Sequence, residues 1–155
     1  MSRSITSDYG TVTPYLAIKG AAAALEFYQK AFGAVMRAPC LIDPAGNVAH
    51  AEIIIGDSII MLGEESVEWS APSPLTLGGT SVKLALRVDD VDASVDQAVN
   101  AGATLVSPVA DLFYGERSGR VADPYGHVWI ISTRIEHVSS EEMQRRFDDM
   151  CATVK

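Results

Sequence analysis

Two rhythms of hydrophobic and polar positions run along the chain, and they follow one another in the same order twice. Residues 11–18 alternate with period two in a β-rich run, which predicts a strand. From Ala21 to Phe32 the apolar positions move to helical spacing, with Ala21, Leu25, Tyr28 and Phe32 on one face and Gly33 as a stop. Strand-like runs follow at 34–41, 48–55 and 58–62. Asp43-Pro44-Ala45-Gly46 and Gly56-Asp57 supply the turns between them. The predicted order is β-α-β-β-β.

The second half repeats it. Residues 81–88 alternate as a strand, and Asp89-Asp90 offers caps for a helix over 91–100, striped by Val91, Val95 and Ala98 and ended by Gly102. Strands are predicted at 104–109 and 119–122. Asp123-Pro124-Tyr125-Gly126 then turns into a strand over 127–133. An offset of 69 places Gly33 on Gly102, Ala34 on Ala103 and Pro39 on Pro108. An offset of 70 places Leu16 on Leu86 and Ile18 on Val88. A long-period repeat of this kind predicts one domain built from two like units. The first module covers about 11–63 and the second about 81–134.

Residues 64–80, rich in Ser, Pro and Gly, join the modules. They read either as a flexible crossover or as a lid whose Trp69 covers a ligand or a partner subunit. After Thr133 the chain adds a tail in which Ser139 and Glu142 fit a capping box opening a helix over about 139–150. That helix suits packing or dimerisation.

Composition narrows the function. The chain has 155 residues, 48% hydrophobic, enough for one well-buried core. Twenty acids against 12 Lys and Arg give a net charge of −8, which argues against nucleic acid and anionic membranes as partners. No stretch is apolar enough to span a bilayer, and no secretory h-region is visible. Cys40 and Cys151 form no metal-ligand pattern and read as free thiols, so a cytoplasmic location is expected.

Familiar catalytic motifs are missing: there is no G-x-S-x-G elbow, P-loop or G-x-G-x-x-G. His50 and Glu52, two apart on a predicted strand, point to one face. They read either as an acid–base or metal-binding pair or as a solvated strand face. His127, after a glycine turn, suits a structural hydrogen bond. The run from Leu112 to Arg120 combines aromatics, two arginines and two glycines. It reads either as a ligand-contacting loop with Tyr114 and Arg117, or as a hairpin whose arginines pair with Glu116 and Asp123.

The residues VTPYLAIKGAAAALEFYQKAFGA (12–34), AHAEIIIGDSIIML (49–62), FYGERSGRVADPYGHVW (113–129) and VSSEEMQRR (138–146) closely resemble the vicinal oxygen chelate superfamily. That superfamily holds glyoxalase I, extradiol dioxygenases and bleomycin-resistance proteins; the nearest branch is the glyoxalase-like proteins of a phosphonate-utilisation operon. The resemblance implies an α+β fold: two tandem βαβββ modules forming a cupped mixed sheet, with a C-terminal helix, and usually a homodimer.

In metal-dependent relatives, ligands sit on the first and last strand of each module. Those positions fall here on Thr13, Met61, Lys83 and Ile130, none a good divalent-metal ligand. No cofactor is therefore expected, a divalent metal being kept only as an alternative. With alternation, Tyr15, Lys83 and Arg87 become polar anchors of a cup walled by Met61 and Ile130, with Leu16, Ile18, Leu84, Leu86 and Val88 facing the helices. The expected function is metal-independent binding of a small molecule with an apolar body and an acidic head. The alternatives are a lyase, isomerase or dioxygenase-type enzyme with a shifted site at His50 and Glu52, and a structural dimerisation module.

Overall fold

A computed structural model describes residues 9–154. The first module contains β1 (Tyr15–Ile18), α1 (Ala21–Phe32), β2 (Val35–Met36), β3 (Leu41–Ile42), β4 (Val48–Ile55) and β5 (Ser58–Glu64). A short helix α2 (Pro74–Leu77) lies in the connection. The second module contains β6 (Lys83–Arg87), α3 (Val91–Ala101), β7 (Thr104–Leu112), β8 (Glu116–Ala122) and β9 (Val128–Arg134), and α4 (Ser140–Ala152) closes the chain.

The sheets share one topology. The first runs β1-β5-β4-β2, with β3 also on β4, and the second runs β6-β9-β8-β7. In each, the module's first strand lies parallel to its last, Leu16 beside Leu62 and Leu86 beside Ile131. The helices stop in the same way: Gly33 and Gly102 both have positive φ, and the next residue's N–H reaches back to Tyr28 O and Ala98 O at 3.1 and 3.0 Å. Glycine is the residue that adopts this turn without strain. No helix among the described residues is long and apolar enough to cross a membrane.

Three predicted strands are shorter than expected, β6 covering only Lys83–Arg87 of the run 81–88. β1 begins at Tyr15 rather than residue 11, so Thr13 precedes the sheet. The run 34–41 splits into β2 and β3, because Pro39 has no N–H to give a ladder. Within the connection, Ser66 and Ala71 pair across a tight turn, and the Glu65 carboxylate accepts from Ser73 N at 2.8 Å and Thr76 Oγ1 at 2.7 Å. This stretch is ordered by its own hydrogen bonds.

Each helix covers one face of its sheet. Leu16, Ile18, Ile53, Ile55, Ile60 and Leu62 are buried beside α1, as are Val121, Trp129 and Ile131 beside α3. Gly119 has no side chain because a Cβ there would stand 2.9 Å from Val109 and 3.2 Å from Val95 of α3. The modules meet through their helices and one aromatic cluster. Trp129 lies 4.5 Å from the Phe32 ring and 5.6 Å from Tyr28. The buried Asp123 carboxylate accepts from Tyr28 Oη at 2.7 Å, Trp129 Nε1 at 3.0 Å, and the backbone N–H of Tyr125 and His127. Burial first, then the Asp123 charge, pushes the Tyr28 phenol up. His127 Nε2 lies 3.2 Å from Ala17 O of the first module, the structural role expected for it.

On α4, Ser139 Oγ accepts from Glu142 N at 3.2 Å. Arg146 ties the helix down through Glu136 and Phe113 O, with Phe147 against Phe113.

Candidate functional site

Strand alternation gives each sheet a second face that no helix covers. In the first sheet this inner face carries Tyr15 and Ala17 of β1, Met61 and Gly63 of β5, and His50 and Glu52 of β4. Tyr15 pairs with Met61, Ala17 with Gly63, and Glu52 with Met61. These residues form one polar network. His50 Nδ1 lies 3.2 Å from Tyr15 Oη and His50 Nε2 3.3 Å from Glu52 Oε1. Tyr9 Oη donates to Glu52 Oε1 at 2.7 Å, and Arg37 Nη1 donates both to Tyr9 Oη at 2.8 Å and to Glu52 Oε2. The Arg37 guanidinium also sits 4.5 Å from the centre of the Tyr9 ring.

Glu52 is the hub. Its side chain is only 12% exposed. The Tyr9 hydroxyl foremost, with Arg37 and His50, outweighs the cost of burial and lowers its pKa to about 2. It is an anion at neutral pH, and an anionic carboxylate can only accept. A neutral His50 therefore carries its hydrogen on Nε2 and turns the Nδ1 lone pair towards the Tyr15 hydroxyl. Gly63 makes room for this arrangement: a Cβ there would lie 3.0 Å from Tyr15 Oη and 2.5 Å from Ala49 O.

The inner face of the second sheet differs. It carries Lys83, Ala85 and Arg87 of β6, Ile130 and Ser132 of β9, and Glu116, Ser118 and Arg120 of β8. Ala85 stands beside Ile130, and Ile130 beside Arg120. Arg87 pairs with Glu116. Arg87 first, with Ser132 adding to it, holds the Glu116 carboxyl below its ordinary range. Lys83 and Arg120 are exposed, and their side chains make no ion pair or hydrogen bond among the described residues.

The structure therefore brings Tyr15, His50, Glu52 and Met61 together on one face, and Lys83, Arg87 and Ile130 on the other. Three further predicted residues lie elsewhere. Trp69 is 72% exposed at the tip of the connection. Tyr114 sits in the β7–β8 turn against Phe113. Arg117 points to the helix side of β8 and is held by Asp92 and Asp111, rather than by Glu116 or Asp123. Tyr9 and Arg37 were not foreseen. Tyr9 precedes any periodic segment, and Arg37 stands where the expected long strand breaks; its place two residues after the inward Val35 was the available signal.

The edges of β1 and β6 face each other across a seam with no ladder between them. A cavity of about 640 Å³ at one end of the seam is lined by Val12, Thr13, Pro14, Leu84, Arg87 and Trp129, among others. A second, of about 450 Å³, lies between Tyr15, Ala17, Pro72, Val82 and His127. The inner face of the first sheet lies open: Tyr15 is 52% exposed and Val35 62%.

Among the described residues, no three His, Cys, Asp or Glu side chains converge as a metal site would require. Thr13, Met61, Lys83 and Ile130 supply no carboxylate, imidazole or thiolate, so these positions do not fit a divalent ion.

Comparison with known proteins agrees with this fold. The model of the Glyoxalase/Bleomycin resistance protein/Dioxygenase superfamily matches residues 10–131. An uncharacterised protein of Mycobacterium bovis is 39% identical over 138 residues, covering 86% of this chain and 89% of that protein. The crystal structure of TioX from Micromonospora sp. ML1 is 25% identical, covers 84% of this chain and all of its own, and superposes with a TM-score of 0.60. The fosfomycin resistance protein FosX of Mesorhizobium loti is 14% identical, with 87% and 97% of the two chains covered and a TM-score of 0.59, a likeness of fold alone.

Proposed function

Since the chain belongs to the Glyoxalase/Bleomycin resistance protein/Dioxygenase superfamily, we propose that it binds a small molecule with an apolar body and an acidic head group, without a metal, between the inner faces of its two sheets. The observation that carries this reading is the pair of unpartnered cations, Lys83 and Arg120, flanking the apolar floor of Ala85 and Ile130. An anionic head satisfies those cations, while Met61 and Ile130 take the apolar body. The positions that hold metal in metal-dependent relatives speak for direct binding of the ligand.

The protein works as a homodimer in this reading. Open inner faces with Tyr15, Val35 and Leu41 each more than half exposed support completion of the cup by a second copy. Two free thiols, Cys40 and Cys151, support a cytoplasmic location.

Calorimetry on EDTA-treated protein, with a series of alkyl and aryl carboxylates, tests the proposal. Binding is expected without metal, and the Lys83→Ala/Arg120→Ala double variant should weaken it about 30-fold or more, as two charge-assisted contacts predict. Binding that appears only after adding Zn²⁺, Ni²⁺ or Fe²⁺ overturns it. Analytical ultracentrifugation decides the dimer.

A further inference from the structure

The inner face of the first sheet holds more polar chemistry than binding requires. Glu52, Tyr9 and Arg37 build a fixed, anionic carboxylate next to an imidazole, and the imidazole meets a phenol that is half exposed on the ligand side. We propose that Tyr15, His50 and Glu52 form a proton relay giving the protein a tautomerase activity on 2-oxo acids. The proposal rests on the ligand class argued above.

The order of the relay follows from its hydrogen bonds. Glu52 accepts from His50 Nε2–H and so leaves Nδ1 as the basic atom, which accepts the Tyr15 hydroxyl. The hydrogen of Tyr15 then points inward, and its oxygen lone pairs face the ligand. A 2-oxo acid fits the chemistry: its carboxylate matches Lys83 and Arg120, and its carbonyl acidifies the neighbouring C–H.

In the step, that C–H proton moves to Tyr15 Oη while the Tyr15 hydroxyl proton moves to His50 Nδ1. The C–H electron pair becomes the enolate. The resulting imidazolium stands against the Glu52 carboxylate, which stabilises it. Returning the proton to the enolate oxygen gives the enol; returning it to carbon restores the ketone, so no oxidant or reductant is consumed. Tyr15 is the catalytic residue. His50 and Glu52 act through it, and Gly63 leaves the space in which its hydroxyl reaches His50.

Phenylpyruvate in D₂O is the probe, with deuterium uptake at C3 followed by proton NMR and its affinity measured in parallel by calorimetry. The wild-type chain should exchange C3 faster than buffer. Tyr15→Phe and His50→Gln should lose about 100-fold or more of that rate, the scale of general acid–base catalysis. Both should remain folded and still bind phenylpyruvate measurably, since the cations that hold the carboxylate are untouched. Binding with exchange at the buffer rate overturns the relay and leaves the binding role standing; absence of binding overturns both. The nitrogen-15 shifts of His50 give a readout independent of turnover. Hydrogen on Nε2 is expected, whereas hydrogen on Nδ1 overturns the relay. Glu52→Gln should abolish this preference and slow exchange; an unchanged tautomer in that variant removes Glu52 from its positioning role.

Discussion

The two modules share strand order, parallel pairing and helix stops, yet they spend their side chains differently. The first module puts aromatics on its helix, Phe27, Tyr28 and Phe32, and a closed polar network on its inner face. The second has a helix whose buried residues are only Val91, Val95 and Ala98, a receptor for the aromatics at Trp129 and Asp123, and free cations on its inner face. A fold repeated twice constrains which face a residue occupies. It leaves the chemistry of that face open, so the helix-side faces have become a joint and the inner faces a complementary pair.

The largest effect should come from breaking that joint. Trp129 and Ile60 occupy equivalent positions, Trp129 beside Val121 and Ile60 beside Ile53. Trp129→Ala should cost about 4 kcal/mol and Ile60→Ala about 2–3 kcal/mol in chemical denaturation, since the indole is the larger side chain and fills the space between modules. Equal costs would mean that Trp129 serves only its own sheet. Asp123→Ala comes next at about 3 kcal/mol, because it strips buried donors of their acceptor. Tyr28→Phe, which removes only the Tyr28–Asp123 hydrogen bond among those that join the modules, should cost about 1 kcal/mol.

How far this was legible in the chain follows the same division. The repeat and the helix boundaries could be read because glycine stops and helical spacing are local signals. Gly33 and Gly102 mark both ends correctly. Strand alternation placed His50 with Glu52 and Lys83 with Arg87, since period two fixes a face without knowing its neighbours. What alternation cannot supply is a partner distant in the chain. Arg37 and Tyr9 reach Glu52 from 15 and 43 residues away. Arg117 is drawn to Asp92 by a helix that packs on its side of the sheet. The apolar residues Val35 and Leu41 look like ordinary strand positions in sequence, and only the sheet reveals that they stand on an open face.

The smallest effect sharpens the contrast between the two inner-face carboxylates. Glu52 has its pKa lowered to about 2, with the Tyr9 hydroxyl as the main cause, while Glu116 is lowered chiefly by Arg87, with Ser132 adding to it. A carboxylate whose pKa falls on folding stabilises the native state when ionised, and that contribution disappears as acid protonates it. The stability difference between wild type and Glu52→Gln should therefore be full above about pH 4.5 and fade as the pH falls towards 2. Because the network meets water at the open face, its size near neutrality should be about 1 kcal/mol. Melting curves of the two proteins between pH 7 and pH 2 measure it. Tyr9→Phe should shrink the difference by taking away the principal hydrogen bond, whereas Arg87→Ala, on the other sheet, should leave it unchanged. A difference that survives intact in Tyr9→Phe would place the stabilisation of Glu52 in its pairing with Arg37, and the two modules would then hold their inner carboxylates by the same device.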